Sequence, residues 1–528
     1  MATTAETFAW NAPEYWNPIP EWAYSWRPYA NPDLIWIDAD SDRGLASFVI
    51  DPWNQHWAVV REPAAKLLKR CDGLARFSQL LRDLPTNTEA PPQGYAALAE
   101  ELAAAGLLFN CRDSHSASGG PVYNVSPVTG MHLEVTNACN MTCEHCYVSS
   151  GRKLSNELSL EEIKAVIDML PPFTGKRIAL SGGEPAARKD LPEIIDYCTA
   201  AGHDVDVYTN GKKFPRALGE HVLEINRRTP RTVRIQVSLE GATAETNDAV
   251  RGRNSFKFAC ESLAMFRELG LQQHVVIFVC LTAHNIHEMH ALVKLAEEFD
   301  VGMLVFSQWQ KQGNASGIPW ASIAPSIEDW VAAGEFILNY RSPRLRLFGN
   351  FFGDIGNDPV ERFNLDAPLF PKHKYFYNAF PRISPTGGVW ADQLWVDPSW
   401  MLGNLRESSL QSCLETPKFY EQMQLMRDRK IAECESCQWK LLCEGGSPGH
   451  TYAEYDGDMN HRDLFCGARV VWFERFVLHQ LRRILGESVH VQFRRPPAQE
   501  LARANQGHRS GLAILGLPIV TEHGYPAA

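Results

Sequence analysis

Strand-like and helical segments alternate six times in the middle of the chain, and this alternation restricts the fold more than any other feature. The apolar runs that predict strands are 133–136, 178–180, 205–208, 233–239, 275–280 and 303–306. Two capping boxes, Ser159 with Glu162 and Asp190 with Glu193, mark the starts of two intervening helices. Because parallel neighbours need crossover helices, the alternation predicts an α/β fold with a parallel sheet curved as an incomplete barrel. Ligands should bind at the carboxyl ends of its strands.

The chain is 528 residues long, more than one hydrophobic core can serve, so several domains are expected. Composition predicts an aromatic-rich arm at 1–32, a small domain of strands and short helices at 33–110, a Ser-, Gly- and Pro-bearing linker at 111–128, a partial (β/α)6 TIM-like barrel at 129–344, a cysteine-bearing domain with a closing helix at 345–486, and a tail of unknown structure at 487–528. Gly106 is predicted to end a helix, and the Gly387–Gly388 turn predicts a hairpin.

Charge and composition exclude several classes of protein. The formal net charge is -11, and no run of lysines or arginines is long enough to bind phosphates, so nucleic acid is not an expected partner. No secretory signal or apolar run of membrane-spanning length is present, so we expect a cytoplasmic protein without membrane contact. Thirteen cysteines are too sparse for a disulfide scaffold. Six scattered ones are predicted to be small buried apolar residues: Cys71, Cys111, Cys198, Cys260, Cys280 and Cys413.

Three clustered cysteines, Cys139, Cys143 and Cys146, follow the first strand of the alternation with CxxxCxxC spacing. Thiolates are the natural ligands of iron-sulfur clusters, and three cysteines on a cluster of four irons leave one iron without a protein ligand. The spacing alone also allows a zinc ion with His145 as the fourth ligand, since such zinc sites are common.

The residues around this motif favour iron over zinc. Tyr147 directly follows the last cysteine, and SGGEP comes one β/α unit later. In sequence, order and distance these motifs resemble the radical S-adenosylmethionine (SAM) enzymes. The resemblance implies that Cys139, Cys143 and Cys146 hold a 4Fe-4S cluster, that its open iron chelates SAM, and that reductive cleavage of SAM starts radical chemistry.

The same resemblance implies which residues contact SAM. They are Tyr147, the GGEP loop of Gly182, Gly183, Glu184 and Pro185, and three residues at later strand or helix ends, Asn210 of TNG, Ser238 of VSLEG and Arg251 of VRG. For Asn210 and Ser238 the alternative is that they only cap strand ends.

A second group of cysteines, Cys434, Cys437, Cys443 and Cys466, lies in the last domain. This segment resembles the SPASM extension of peptide-modifying radical SAM enzymes, which usually carries two auxiliary clusters. The resemblance implies one auxiliary 4Fe-4S cluster on these four thiolates, with a structural zinc ion as the alternative. The positions expected to hold a second auxiliary cluster are Asp392, Ser408 and Ser447, a poor ligand set for a soft cluster. We therefore expect no second auxiliary cluster.

The small domain at 33–110 resembles the RiPP recognition element, a winged-helix domain that binds leaders of ribosomally made peptides. The resemblance lies in WAVVREPAAKLLKRCDG and GYAALAEELAAAGLLF. The alternative is a capping domain without a ligand.

Together these parts predict a radical SAM peptide maturase. Its 5'-deoxyadenosyl radical would remove hydrogen from a core residue of a precursor peptide and form a cross-link, with carbon-carbon or carbon-oxygen bonds favoured over a thioether. A flavodoxin or ferredoxin would supply electrons. The alternatives are a peptide epimerase, a small-molecule radical SAM dehydrogenase, an anaerobic sulfatase-maturing enzyme and a non-catalytic metal-stabilised scaffold.

Overall fold

The computed structural model describes residues 25–52, 56–84, 92–109, 128, 130–170, 177–349, 380–391, 393, 395–443 and 445–494. Most of the predicted arm, linker and tail lies outside these residues, as do Cys111 and Asp392. Across the described ranges, no helix has both the length and the apolar character needed to span a membrane.

A small antiparallel sheet and three helices form the N-terminal part. The strands are β1 (Ile35–Asp40), β2 (Ala46–Ile50) and β3 (Trp57–Val60), followed by helices α1 (Glu62–Leu68), α2 (Phe77–Asp83) and α3 (Pro92–Ala104). Gly106 follows α3 with a left-handed φ of +71°, so the predicted helix end is confirmed. The order of strands and helices is the one that the sequence predicts.

A ten-stranded sheet forms the centre of the molecule. Its strands in chain order are β4 (Gly130–Thr136), β5 (Arg177–Gly182), β6 (Asp204–Thr209), β7 (Val233–Ser238), β8 (Val275–Leu281), β9 (Met303–Gln308), β10 (Arg346–Gly349), β11 (Arg382–Ile383), β12 (Gly388–Trp390) and β13 (Gly403–Asn404). The spatial order is β10-β9-β8-β7-β6-β5-β4-β11-β12-β13. All six predicted strands are present as β4 to β9, and each is parallel to its neighbour.

Helices follow the central strands and continue through the C-terminal part. They are α4 (Leu160–Asp168), α5 (Leu191–Ala200), α6 (Arg216–Arg228), α7 (Ala244–Arg251), α8 (Ser255–Leu269), α9 (Met289–Glu298), α10 (Trp320–Ile323), α11 (Ile327–Asn339), α12 (Leu410–Leu414), α13 (Pro417–Arg427), α14 (Lys440–Cys443), α15 (Pro448–Glu454) and α16 (Cys466–Leu485). Ser159 caps α4 through a complete capping box with Glu162, as predicted. The second capping box is wrong: Asp190 precedes α5, but its carboxylate binds the Arg188 guanidinium instead of the helix amides.

The two faces of the parallel sheet differ in burial. On the helix-covered face, alternate side chains such as Leu133, Ile235 and Leu304 are fully buried in one apolar core. On β7, β8 and β9, side chains that alternate with the buried ones are partly accessible, so the opposite, inner face of the sheet is open. Because successive strand residues point to opposite sides, this alternation places polar groups such as Gln236 and Ser238 on the inner face.

The parallel sheet extends further than the sequence indicates at both edges. β10 pairs in parallel with β9, so the strand pattern continues past the boundary expected at 344. At the other edge β11 pairs in parallel with β4, and the predicted hairpin at Gly387 joins β11 to β12. The C-terminal region is therefore hydrogen-bonded directly to the strand that precedes the first cysteine motif.

Helix α16 connects the C-terminal region to the N-terminal sheet. After α16, the short strand β14 (His490–Val491) pairs antiparallel with β1, so part of the tail forms a fourth strand of the small sheet. The Phe476 ring of α16 contacts the Trp57 ring of β3 edge-on, with centroids 5.9 Å apart. The small sheet is thus packed between α16 on one face and its own helices on the other.

The Phe476 contact predicts a specific effect on stability. Phe476→Ala removes a ring that is 6% exposed, so we expect a loss of about 3–5 kcal/mol. Chemical denaturation should measure this loss, and limited proteolysis should release the N-terminal part sooner. Leu425→Ala, at a side chain 58% exposed, is the matched control and should change neither. Equal effects of the two substitutions would contradict the proposed packing.

Candidate active site

The first cysteine motif forms a closed loop at the carboxyl end of β4. The Cys139 amide donates to the Gly151 carbonyl at 2.8 Å, and the Gly151 amide donates to the Asn137 carbonyl at 3.0 Å. Cys139, Cys143 and Cys146 are all partly accessible. The loop therefore presents its three thiols at the end of the sheet where ligands were expected.

The GGEP loop lies directly against this cysteine loop. The Gly183 amide donates to the Thr136 carbonyl, and the Glu184 amide donates to the Ala138 carbonyl, both at 2.8 Å. A Cβ on Gly183 would lie 2.3 Å from the Ala138 oxygen, so only glycine allows this approach. The two predicted motifs are brought together by backbone hydrogen bonds.

The Glu184 carboxylate connects the GGEP loop to the end of β6. It is 2% exposed and accepts hydrogen bonds at 2.8 Å from the Thr209 hydroxyl and from the Asn210 amide. Burial raises the pKa of Glu184 above its ordinary value, against the lowering effect of these hydrogen bonds. The Asn210 side-chain amide in turn lies 3.7 Å from the Cys139 sulfur.

Arg251 belongs to a buried hydrogen-bonded group on the opposite side of the cysteine loop. Its Nη1 donates to Glu240 at 2.9 Å, and the same Glu240 oxygen lies 3.0 Å from His145 Nε2. Burial works to raise the pKa of Glu240, but His145 and Arg251 lower it below the ordinary value. Glu240 also accepts from the Cys280 amide at 2.7 Å. His145 is therefore directed towards a carboxylate and a guanidinium.

Tyr147 extends onto the inner face of the sheet. Its hydroxyl lies 3.0 Å from His132 Nε2 on β4. Burial and then the nearby Arg382 lower the pKa of His132 to about 3, so this imidazole is neutral. Arg382 forms a two-point ion pair with Glu134, at 2.7 and 3.0 Å, and both residues are buried, as is His132. The inner face beside the cysteine loop thus carries paired charges and neutral rings.

The remaining predicted contact residues lie at the same end of the sheet. Gly182 ends β5 with φ of +116°, Pro185 starts a short 3-10 turn, and Ser238 ends β7 on the inner face. All the residues expected to contact SAM therefore lie in the loops or last strand residues at the carboxyl ends of β4 to β7 or in α7.

The second cysteine group surrounds a separate buried site. Cys434 ends a 3-10 turn, Cys437 follows it, Cys443 ends α14 and Cys466 starts α16. Burial and then Cys443 raise the pKa of the Cys434 thiol to about 12. A metal would have to displace these protons, because thiolates are the ligating form.

The serines expected near a second auxiliary cluster have other roles. The Ser447 hydroxyl caps α15 by accepting from the His450 amide, and its own amide donates to Asp463 at 2.7 Å. Ser408 is exposed in the turn after β13. Three tryptophans, Trp390, Trp395 and Trp400, form an apolar cluster in the neighbouring sequence.

Comparison with known proteins agrees with the geometry. Residues 133–296 match the radical SAM superfamily. Mycofactocin maturase MftC of Mycobacterium ulcerans is 32% identical over 317 residues, covering 59% of this chain and 81% of that protein. The chain belongs to the radical SAM superfamily. It is therefore an enzyme that uses SAM and a 4Fe-4S cluster.

Solved structures of radical SAM enzymes share the fold. The structure titled native anSMEcpe with bound AdoMet has a TM-score of 0.53 at 17% identity, covering 67% of this chain and 98% of that one. SuiB of Streptococcus suis bound to S-adenosylmethionine has a TM-score of 0.51 at 14% identity, covering 82% and 99%. At these identities the likeness concerns the fold alone.

The side chains at the two cysteine sites are suited to hold iron-sulfur clusters, and those near the first site are suited to bind SAM. The first loop offers three partly accessible thiols and the C-terminal part offers four, and thiolates are the ligands that iron-sulfur clusters prefer. Near the first loop, His145 Nδ1, Arg251 Nε and Trp309 Nε1 are buried without a hydrogen-bond partner in the described structure. Such atoms need a polar partner, which SAM can supply.

Sequence reasoning missed several residues of this site. Glu240 lies within the VSLEG motif but was not singled out, His132 looks like an ordinary strand residue, and Arg382 lies far from the motifs. Cys280 was expected to be a small buried apolar residue, but its side chain lies beside Glu240 on the partly accessible inner face. Cys260 is also partly accessible, whereas Cys71, Cys198 and Cys413 are buried as expected. The only sequence signal for His132 and Cys280 is that each alternates along its strand with residues of the apolar face.

The Gly183 contact generates a prediction for the cysteine loop. In Gly183→Ala the new methyl group meets backbone oxygens of Asn137 and Ala138, so the loop must shift, at a cost of about 1–3 kcal/mol. We expect less iron bound after anaerobic reconstitution, in a background where Cys434, Cys437, Cys443 and Cys466 are alanine.

The matched control is Gly151→Ala in the same loop, where a Cβ meets nothing within 4 Å. It should retain iron. If both variants bind iron like the parent, the close approach of the two loops does not support the cluster.

Proposed function

We propose that this radical SAM enzyme is a peptide maturase that binds the leader of a ribosomally made precursor peptide and cross-links its core, with carbon-carbon or carbon-oxygen bonds favoured. The observation that carries the proposal is the joined pair of loops at 139–151 and 182–185, with three partly accessible thiols at the carboxyl end of the sheet. The relationship to mycofactocin maturase MftC, which is named for a maturation reaction, supports a maturation reaction here.

We assign the parallel sheet as an incomplete barrel with the reaction at its carboxyl end. Cys139, Cys143 and Cys146 would hold the cluster, and the GGEP loop with Asn210, Ser238 and Arg251 would orient SAM. When bound, this pair supplies a carbon radical that abstracts hydrogen from an unactivated position. Because Glu134 and Arg382 neutralise each other and His132 is neutral, these three residues add no net charge to the inner face beside the cysteine loop.

The second cysteine group would hold one auxiliary 4Fe-4S cluster. Its four thiols are the soft ligands that iron-sulfur clusters take, and membership of a superfamily that uses such clusters favours iron over zinc. Four thiolates leave no open iron for substrate, so electron transfer is the role that fits. The capping role of Ser447 and the exposure of Ser408 support the absence of a second auxiliary cluster. A flavodoxin or ferredoxin would deliver electrons to the enzyme.

The small N-terminal sheet offers a place for the leader. Its order is β14-β1-β2-β3, so β3 is an edge strand among the described residues. Val49 pairs with Ala58 and Phe48 with Val59, and the Asp51 amide donates to the His56 carbonyl across the same pair of strands. By the alternation of antiparallel hydrogen bonds, the Trp57 and Val59 amides point away from β2. An extended leader can add as a further strand at this edge.

Mass spectrometry of a candidate precursor is the direct test of this function. We expect anaerobic incubation with enzyme, SAM and reductant to form 5'-deoxyadenosine and a peptide lighter by two hydrogens. The same reaction in heavy water separates the alternatives, since deuterium uptake without loss of hydrogen indicates an epimerase. Formation of 5'-deoxyadenosine with no change in any tested peptide would favour a small-molecule substrate.

Leader binding gives a second prediction. Val59→Pro removes an outward-facing amide from β3, so we expect at least about tenfold weaker binding of the full-length precursor, in line with loss of about one or two strand hydrogen bonds. Fluorescence anisotropy with labelled precursor measures the affinity.

Leu74→Ser, at an exposed side chain of the same domain, is the control and should bind normally. Thermal unfolding checks that both variants remain folded. Unchanged binding by a folded Val59→Pro protein would exclude strand addition at β3.

A further inference from the structure

We propose that Arg469 raises the reduction potential of the four-cysteine site, so that the site acts as the acceptor for the electron released when the product forms. The inference rests on the proposed function, because it requires an auxiliary cluster and a product radical. It adds the residue that sets the potential of that site.

Arg469 approaches the cysteine sulfurs from inside the protein. It lies in the first turn of α16, three residues after Cys466, and is 7% exposed. Its Nη1 donates to the Cys443 sulfur at 3.8 Å, and its Nη2 lies 3.3 Å from Asp463. One guanidinium therefore contacts both a cluster ligand and a buried carboxylate.

The loop after Cys443 is shaped around this guanidinium. Gly446 has φ of +80°, and a Cβ there would lie 2.4 Å from Arg469 Nη1 and 2.3 Å from Asp463 Cβ. The Ser447 amide and the Phe465 amide hold the Asp463 carboxylate in place, at 2.7 and 2.6 Å. The position of Arg469 is thus fixed by contacts on both sides of the site.

Charges of both signs face the four sulfurs. Arg462 is 3% exposed and its Nη2 donates to the Glu433 carbonyl. The acidic groups are Asp463, Glu433 and the buried Glu474. Asp463 is already bonded to Arg469 and two amides, and the imidazole of His450 lies 3.5 Å from it. Of these charged groups, Arg469 is the one that donates a hydrogen bond to a cysteine sulfur.

A hydrogen bond from a cation to a ligand sulfur has a definite effect on potential. Reduction adds one negative charge to the cluster, and the N-H donor and positive charge of Arg469 stabilise that charge more than the oxidised state. With Arg469 in place, a cluster held by these four cysteines would accept one electron from the product radical more readily, and one proton would pass to water. An oxidised ferredoxin or flavodoxin would remove the electron afterwards.

Two contacts connect this site to the first cysteine loop. Lys311, after β9, pairs with Glu454 at the end of α15 at 2.7 Å, and both are largely buried. Asn314 of the same segment donates to the Cys146 and Cys143 carbonyls, each at 2.9 Å. Because Ser447, which caps the start of α15, donates its amide to Asp463, hydrogen-bonded structure continues from one site to the other.

The test measures the midpoint potential of the auxiliary site alone. In full-length protein with Cys139, Cys143 and Cys146 replaced by alanine, any iron-sulfur signal comes from the second group. An EPR-monitored redox titration compares this parent with Arg469→Lys, with Gly446→Ala, and with Arg469→Met combined with Asp463→Asn, which removes both buried charges together. Arg475→Met is the control, since Arg475 lies further along α16 and pairs with Glu335.

We expect the double variant to lower the ratio of reduced to oxidised site at fixed potential by at least about tenfold, which is about 59 mV for one electron. Arg469→Lys and Gly446→Ala should shift the potential in the same direction by less, and Arg475→Met should leave it unchanged. An unchanged potential in the variants that assemble the cluster overturns the proposal. So does failure of all three to bind iron while Arg475→Met does, because Arg469 would then serve assembly.

The redox titration and the peptide reaction test different claims, so their outcomes can be told apart. A parent protein that contains zinc and shows no redox signal would overturn the auxiliary cluster and this inference together. A normal potential shift combined with no change in any peptide would leave the role of Arg469 in place and contradict only the maturase function.

Discussion

The active site depends on the hydrogen bonds of one buried residue, Glu184. Its amide is bonded to the cysteine loop after β4, and its side chain is bonded to Thr209 and Asn210 at the end of β6. Three strand ends are thereby held in one arrangement. A carboxylate that is 2% exposed is costly to bury unless its oxygens are satisfied, so these bonds act together.

The sequence predicted the central part of the molecule well, because two periodic signals coincide there. Strand runs of the right length alternate with capped helices, so all of β4 to β9 are found where expected. The CxxxCxxC and GGEP motifs follow the ends of adjacent strands, and parallel strands bring such loops together. The contact between Gly183 and Ala138 therefore follows from order along the chain.

Contacts between distant segments could not be predicted in the same way. Strand β14 has two residues, and nothing in its sequence indicates that it pairs with β1 more than 400 residues earlier. The ion pair of Glu134 with Arg382 likewise depends on β11 joining the sheet beside β4. Asp190 has the residue type and spacing of a capping box, yet the nearby Arg188 competes for its carboxylate. In each case tertiary structure selects the partner.

Mössbauer spectroscopy before and after addition of SAM tests the central claim most directly. The sample is full-length protein, reconstituted anaerobically, with the four C-terminal cysteines replaced by alanine so that only the first cluster remains. The three-thiolate loop predicts that SAM changes the signal of one iron in the cluster and leaves the others as they were. A loop that contains zinc, or a cluster whose irons do not respond to SAM, would contradict the account.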